Sequence, residues 1–395
     1  MANPLQALLD LPEEEKAARG MQHTPREIRQ QPQSWRSTYQ RCENVRAELL
    51  ARLERFRAGK NSLPVVYLVG AGTSDYIGRA LVSLLRQRWA CEIWPVPSTT
   101  LLTDFDEFHR PGRDHLWVSF SRSGDSPEGV ALLEKALEHY PQIQHLVITC
   151  NYQGAMAKLC AAHEDRAFAI VLDDAINDRG LAMTSSFSNM VVAGQCLADL
   201  EELPRYGDQL AEMAEAGSQF LWQAAEVAAS ITSLGCHRAC YVGSGALRAV
   251  ADESALKLAE LSAGKKMTMA ESVLGLRHGP MSCVDGQTLF AAFLSSDPQR
   301  RSYEIDLLRE VSRKRLGRVR AVVTANHAGD ISELVDYSLS LNLPQNFPDE
   351  YRPPLDIMLG QLLGLFSSIS VGLKPDAPSP TGAITRVVSP IKIYS

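Results

Sequence analysis

The most informative part of this sequence is Trp117-Val-Ser-Phe-Ser-Arg-Ser-Gly-Asp-Ser-Pro-Glu128. An apolar, β-prone run ends at Phe120, a loop rich in hydroxyl groups follows, and a helical pattern begins near Pro127. Small hydroxylated residues and a glycine at a strand-to-helix turn predict an anion site, because the first N–H groups and the dipole of a helix favour negative charge. A polar linker without a ligand is the alternative that this stretch alone leaves open.

The sequence also contains an internal repeat. Val65-Val-Tyr-Leu-Val-Gly-Ala-Gly72 resembles Arg238-Ala-Cys-Tyr-Val-Gly-Ser-Gly245, and Leu146-Val-Ile-Thr-Cys-Asn151 resembles Ala321-Val-Val-Thr-Ala-Asn326. Because both pairs are separated by almost the same number of residues, the chain is predicted to hold two copies of one fold.

Each copy is predicted to be a doubly wound α/β domain. Helical patterns at residues 77–89 and 128–139 alternate with short runs that are apolar throughout, which is typical of parallel strands covered on both faces. Ligands of such sheets bind beyond the carboxyl ends of the strands, which places Gly70-Ala-Gly-Thr-Ser74 and residues 121–126 at one edge. The apolar runs of the first copy lie at residues 65–69, 116–120, 146–149 and 168–172.

The two copies differ at this edge. The first copy has several hydroxyl groups after its glycines and in the loop at residues 121–126. The second copy has Ala246 and Leu247 after its glycines and, further on, Ser295-Ser-Asp297. We therefore expect the first copy to bind phosphate and the second to supply other chemistry. The hydroxylated residues of the first copy are Thr73, Ser74, Ser121, Ser123 and Ser126.

Composition limits the class of partner. A net charge of −6 argues against nucleic acid or an anionic membrane as the main partner, and the scattered cysteines suggest reduced thiols in a cytoplasmic protein. Residues 1–5 show no basic region before an apolar core, so no signal peptide is expected. Residues 355–373 are the most apolar span, but Asp356 and several serines favour a buried helix over a membrane span.

Candidate catalytic residues lie in the second copy. Glu253, Lys257 and Glu260 are spaced to share one face of a helix over residues 247–261. Spacing alone favours a solvated face carrying an ordinary ion pair, worth only ~0.3 kcal/mol. His278 lies in the turn Arg277-His-Gly-Pro280, where an imidazole could shuttle protons, although a structural histidine is the alternative.

With these motifs, the chain resembles the tandem sugar-isomerase (SIS) domain family, most nearly the AgaS-type galactosamine-6-phosphate deaminase/isomerases and, further away, the isomerase half of glucosamine-6-phosphate synthase. The resemblance covers roughly residues 46–395. It implies a flavodoxin-like domain over residues 46–210 that binds phosphate and a second over residues 211–395 with the catalytic helix and the histidine loop. Residues 1–45 are expected to form a helical extension. The motifs that carry the resemblance are Gly70-Ala-Gly-Thr-Ser74, Ser121-Arg-Ser-Gly-Asp-Ser126, Glu253-Ser-Ala-Leu-Lys257-Leu-Ala-Glu260 and His278-Gly-Pro280.

The resemblance also implies roles for single residues. Glu260 would move a proton between C1 and C2 of a sugar phosphate, and His278 would open the sugar ring, in relatives at the site of a neighbouring subunit. Glu253 and Lys257 would orient these groups. We expect a homodimer or larger homo-oligomer, and no metal or organic cofactor. The expected phosphate-site residues are Gly72, Thr73, Ser74, Ser121, Arg122, Ser123 and Ser126.

Two departures from the synthase favour the AgaS-like function. No glutaminase domain is expected upstream, and Pro390 stands where the synthase has a Schiff-base lysine. The expected reaction is conversion of galactosamine 6-phosphate to tagatose 6-phosphate and ammonia, which makes the protein a hydrolase acting on C–N bonds or an intramolecular oxidoreductase. The alternatives are a tagatose-6-phosphate ketose/aldose isomerase without deamination and a non-catalytic regulator that binds sugar phosphates.

Overall fold

Two parallel sheets form the framework of the protein. The computed structural model describes residues 3–57, 64–327 and 331–394, and in those residues ten strands pair into two five-stranded sheets. Every strand pair in both sheets is parallel. The predicted fold class, two tandem doubly wound α/β sheets, is therefore confirmed.

The chain divides into two compact units, named here by their sheets. The first-sheet unit consists of residues 34–178, 185–210 and 385–395, and the second-sheet unit consists of residues 1–33, 179–184 and 211–384. The domain boundaries expected after residues 45 and 210 stay predictions. Met1 and Ala2, which begin the predicted extension, lie outside the described residues.

The first sheet contains the four expected strands and one edge strand that the sequence analysis missed. The missed strand, β2, carries Pro95 and Pro97 and is exposed at alternate positions, so it does not form an apolar run. Proline is tolerated there because an edge strand has no partner on its outer side. In the order β2-β1-β3-β4-β5, the strands are β1 Val65–Gly70, β2 Glu92–Pro97, β3 His115–Ser121, β4 Ile143–Thr149 and β5 Ala167–Val171.

The second sheet repeats the topology of the first. Its order, β10-β9-β8-β6-β7, is the first order read from the opposite edge, which confirms the predicted internal repeat. Its strands are β6 Arg238–Gly243, β7 Met267–Ser272, β8 Thr288–Phe293, β9 Val319–Thr324 and β10 Tyr337–Ser340.

The helices begin and end as follows: α1 Pro4–Leu9, α2 Glu13–Arg19, α3 Thr24–Asn44, α4 Arg46–Arg57, α5 Thr73–Trp89, α6 Ser98–Thr103, α7 Phe105–Phe108, α8 Pro127–His139, α9 Ala155–Ala162, α10 Ser185–Ala198, α11 Leu203–Ser233, α12 Ala246–Leu261, α13 Pro298–Arg313 and α14 Pro353–Ser370. The two helical patterns expected in the first copy lie in α5 and α8. Residues 4–44 contain α1 to α3, and a separate helical extension stays a prediction.

Helix α12 is enclosed within the second-sheet unit. It packs against β6, β7 and β8 on one side and against α14 on the other. The two helices approach closely where α14 has glycine, since a Cβ atom on Gly360 would lie 2.2 Å from Ser254 Oγ. The apolar span expected to be a buried helix is α14, which is buried from Pro353 to Ser368. In the part of the chain that the structure describes, no helix has both the length and the apolar character needed to cross a membrane.

Candidate active site

A glycine turn opens helix α5 in the first-sheet unit. Gly70 ends β1, and Gly72 adopts φ 56° and ψ −125° directly before the helix. A positive φ of this kind favours glycine over residues with a side chain. Thr73 and Ser74 follow in the first turn of α5 and are 5% and 7% exposed. The turn therefore places two hydroxyl groups beside the N–H groups of a helix N-terminus.

The loop of residues 121–126, called here the serine loop, connects β3 to α8. Its serines shape the turn: Ser121 Oγ accepts the Gly124 N–H at 3.1 Å, and Ser123 Oγ accepts the Asp125 N–H at 3.2 Å. Ser126 caps α8 by accepting the Gly129 N–H at 3.4 Å. The Ser126 hydroxyl donates to Glu128 Oε2 at 3.1 Å, whereas the hydroxyls of Ser121 and Ser123 still have a proton to donate, so the loop can offer donors to an anion.

Neighbouring residues that the sequence analysis missed support the serine loop. Asn151 Nδ2 donates to the Ser123 carbonyl at 2.8 Å, and the Ala155 N–H donates to Asp125 at 2.8 Å. A Cβ atom on Gly154 would lie 2.6 Å from the Ser123 carbonyl oxygen, so only glycine fits there. The position of Asn151, directly after β4 at the carboxyl edge of the sheet, was the signal that could have identified it.

Arg122 links the serine loop to the last residues of the first-sheet unit. Its side chain is 6% exposed and donates to the Arg386 carbonyl. Arg386 in turn donates to the Asp178 carbonyl at 2.6 Å and to Asn177 Oδ1 at 2.5 Å. Sequence analysis assigned no role to Arg386. The Arg122 guanidinium belongs to the serine loop itself, and its positive charge favours an anionic ligand.

The three charged residues expected on α12 form a cluster in the second-sheet unit. Lys257 Nζ lies 3.3 Å from Glu253 Oε1 and 2.5 Å from Glu260 Oε2. The side chains of Glu253 and Lys257 are fully buried, whereas that of Glu260 is 23% exposed. The solvated face that spacing favoured is therefore wrong for Glu253 and Lys257, because α14 covers α12 on the side away from the sheet.

The charge balance of this cluster favours an ionised lysine. Burial alone would lower the pKa of Lys257, but the carboxylates of Glu253 and Glu260 outweigh burial and raise its pKa above the ordinary value. The ammonium group thus stays charged and holds Glu260 at one end of the cluster. Since Glu260 is also partly exposed, its carboxylate can reach a ligand and accept a proton from it.

His278 lies in a surface turn of the same unit. Its backbone N–H donates to the Gly275 carbonyl at 3.0 Å, and the next residue, Gly279, has φ 122°. Ser272 Oγ accepts the Gly275 N–H at 3.1 Å, which ties the turn to the end of β7. The His278 residue is exposed, so its imidazole is accessible to a ligand. In the described ranges, no group of three or more His, Cys, Asp or Glu side chains could hold a metal ion.

Comparison with known proteins places the chain in a family. No protein-family model matches it. It is 35% identical over 375 residues to an Escherichia coli protein named D-galactosamine-6-phosphate deaminase AgaS, covering 94% of this chain and 95% of that protein. A crystallised Clostridium novyi NT protein superimposes over 100% of both chains with a TM-score of 0.92 and 32% identity. An Escherichia coli tagatose-6-phosphate ketose/aldose isomerase superimposes with a TM-score of 0.83 and 33% identity, over 92% of this chain and 95% of the other. The chain belongs to the AgaS family of tandem SIS-domain proteins.

Proposed function

We propose that this protein is an isomerising deaminase that converts galactosamine 6-phosphate to tagatose 6-phosphate and ammonia. The observation that carries the proposal is the cluster on α12, in which a buried, charged Lys257 holds the partly exposed carboxylate of Glu260 at 2.5 Å. A carboxylate held in this way suits general-base catalysis. The names of the relatives support an enzyme that acts on sugar phosphates.

The serine loop and the glycine turn are assigned to phosphate binding. Both lie at the carboxyl edge of the first sheet, where doubly wound sheets bind ligands. The loop hydroxyls, the N-termini of α5 and α8 and the nearby Arg122 are donors that suit a phosphate dianion. The phosphate does not react, so these groups hold the substrate equally well before and during the reaction.

The proton transfers are assigned to the second-sheet unit. His278 helps to open the sugar ring, which exposes the C1 aldehyde. Glu260 then removes the C2 proton to give an enolamine and returns a proton at C1, which leaves a ketimine at C2. Water adds to the ketimine and expels ammonia, so the products are tagatose 6-phosphate and ammonia. A carboxylate and an imidazole suffice for these proton movements.

The fate of the nitrogen decides between two candidate reactions. A free C2 amine can form the ketimine itself, so Pro390 in place of the synthase lysine is compatible with deamination. The structural similarity to a tagatose-6-phosphate ketose/aldose isomerase favours the second candidate, isomerisation without loss of nitrogen.

Ammonia release from four substrates tests the proposal: galactosamine 6-phosphate, glucosamine 6-phosphate and their N-acetyl forms. We expect ammonia from a free amine without any glutamine. The acetylated sugars should be inert, because the acetyl group withdraws the nitrogen lone pair. Absence of ammonia from both free amines, together with interconversion of tagatose 6-phosphate and its aldose, would establish the plain isomerase instead.

We also propose that the protein works as a homo-oligomer in which the His278 loop serves a neighbouring copy. The exposure of the His278 residue supports this, and closed twofold pairing is the commonest arrangement of soluble oligomers. Mixing inactive Glu260→Gln with inactive His278→Ala protein should restore part of the activity, because some mixed sites contain both groups. A fully active monomer would contradict the shared site.

A further inference from the structure

The loop after β8 in the second-sheet unit corresponds in position to the serine loop. Val69 pairs with Ser119 in the first sheet, and its repeat equivalent Val242 pairs with Ala292 in the second. Four residues beyond these partners lie Ser123 and Ser296. Counted from the strands, the N–H of Ser296 therefore corresponds to the N–H of Ser123, although α13 begins two residues earlier than α8 by the same count.

Donors of this second loop converge on one buried carboxylate, that of Asp349. The Ser296 N–H donates to Asp349 Oδ1 at 2.8 Å, and the Ser295 hydroxyl donates to Oδ2. Arg352 Nη1 donates to Oδ1 at 3.0 Å. Arg300 Nη1 lies 3.7 Å from Oδ2. These four donors, a backbone N–H, a hydroxyl and two guanidinium groups, are called here the oxyanion cradle. Such donors around one anion are the components of a phosphate-binding site.

The central groups of the cradle are buried, although the Arg300 side chain is 41% exposed. Arg352 and Asp349 are 0% and 4% exposed. Arg352 also donates to the Leu294 carbonyl at 2.8 Å and to Asp356 Oδ1 at 2.8 Å. These contacts fix its guanidinium independently of Asp349, so the cradle should keep its geometry if the Asp349 carboxylate is removed.

A second acidic side chain is specific to this repeat. Glu304 Oε2 accepts the Ser295 N–H at 2.7 Å. It is the seventh residue of α13, and the seventh residue of α8 is the buried Leu133. The second loop therefore directs its N–H groups to the carboxylates of its own chain, which occupy the space where an external anion would bind.

We propose that the second repeat retains an oxyanion cradle and that Asp349 occupies it as a built-in ligand. Once the carboxylate is removed, the cradle takes a tetrahedral oxyanion of the inorganic phosphate class. In the native chain, occupation by Asp349 confines phosphate to the first repeat, a consequence that rests on the proposed function of the serine loop.

Equilibrium dialysis of the full-length protein against radiolabelled inorganic phosphate tests this inference. We expect one phosphate per chain for the native protein and two for Asp349→Ala. The matched control Asp349→Asn should bind one, because its amide still fills the cradle. An Asp349→Ala protein that binds no more phosphate than the native protein would overturn the inference. If the native protein binds none and Asp349→Ala binds one, the phosphate role of the serine loop fails while the cradle stands.

Phosphate affinity of a double variant and refolding in phosphate buffer also test the cradle. Adding Arg300→Met to Asp349→Ala should weaken the new site about tenfold, because one charge-assisted contact is lost. If Asp349→Ala misfolds in chloride buffer, it should refold in phosphate buffer of equal ionic strength, since phosphate replaces the missing anion. Failure to fold in both buffers, or rescue by formate but not by phosphate, would show a space shaped only for a carboxylate and would contradict the cradle.

Discussion

The two repeats have glycine turns of nearly the same backbone conformation, but they differ in the side chains at the carboxyl edge of the sheet. Gly72 and Gly245 have nearly the same conformation, with φ 56° and ψ −125° in the first and φ 58° and ψ −130° in the second. At the edge that these turns help to form, the first repeat presents hydroxyl groups, whereas the second directs its loop N–H groups to Glu304 and Asp349. Duplication has thus preserved the turn geometry, while the side chains distinguish the edge that we propose binds phosphate from the edge that the chain's own carboxylates fill.

The helices after the glycine turns show a second difference. Counted from those glycines, Ala80 and Leu84 of α5 correspond to Glu253 and Lys257 of α12, and all four residues are buried. The first repeat therefore has apolar core where the second has a buried ion pair. Because buried charge rarely improves stability over apolar packing, this difference agrees with the catalytic role that we propose for the cluster.

Removing the proposed base, Glu260, should have the strongest effect on activity. Glu260→Gln should lower kcat by ~10²–10⁴-fold while the protein still folds and binds substrate, because a positioned base is lost. The direct measurement is exchange of deuterium from heavy water into C2 of the substrate. The exposed Glu215→Gln is the matched control and should behave as the native protein. Persistent C2 exchange in Glu260→Gln would assign the base to another residue.

Converting the ion pair to its first-repeat counterparts tests the second difference. Lys257→Leu should lower the free energy of unfolding by about 3–5 kcal/mol, because Glu253 is left buried without its cation. The double variant Glu253→Ala/Lys257→Leu, which has the residues of the first repeat, should regain much of this stability and remain inactive. Denaturant unfolding measures both. A double variant as unstable as the single one would show that the buried charges are not the cause.

Glu304, whose counterpart at the seventh helix position of the first repeat is Leu133, should make stability depend on pH. Burial raises the pKa of Glu304 to about 7. The folded state therefore binds a proton more readily than the unfolded state between the ordinary carboxyl pKa and pH 7, and stability falls as pH rises through that window. By pH 8 this cost is of the order of 3 kcal/mol. Glu304→Gln should lack this loss when unfolding is compared at pH 5 and pH 8; an identical difference in both proteins would refute the assignment.

The smallest expected effect concerns the serine loop. Ser123→Ala should raise KM with little change in kcat, at a cost of about 1–3 kcal/mol for a hydrogen bond to a charged group. Steady-state kinetics with the phosphorylated substrate measures it. Ser302→Ala, in a second-repeat helix where the hydroxyl donates to the Pro298 carbonyl, is the control and should leave KM unchanged. An unchanged KM for Ser123→Ala would place the phosphate elsewhere.

Local patterns were sufficient to predict most of the fold but only part of the site. Strands and glycine turns depend on short runs such as those at residues 65–72 and 238–245, so the repeat could be identified from the sequence. Strand β2 could not, because its prolines conceal the strand pattern. The roles of the expected site residues stay predictions, although the structure shows how each is held.

Contacts between residues far apart in the sequence could not be predicted. The burial of Lys257 depends on α14, which begins almost a hundred residues later, and nothing in the spacing on α12 indicates that cover. The contact of Arg122 with Arg386 and that of Ser296 with Asp349 likewise join distant segments. Sequence periodicity reports which residues share a face of an element, but it does not report what that face contacts.

Substrate binding by a catalytically inactive variant tests most directly whether the first repeat binds the phosphate group while the second repeat carries the base. Calorimetric titration of Glu260→Gln with galactosamine 6-phosphate measures affinity without turnover, and the same titration of Ser123→Ala/Glu260→Gln isolates the serine loop. We expect the added Ser123→Ala to weaken binding of the phosphorylated sugar about 10- to 100-fold, as loss of a hydrogen bond to a charged group implies. Binding of unphosphorylated galactosamine, which is weak, should stay unchanged. Equal affinity of the two variants for the phosphorylated sugar would contradict the assignment of phosphate binding to the first repeat.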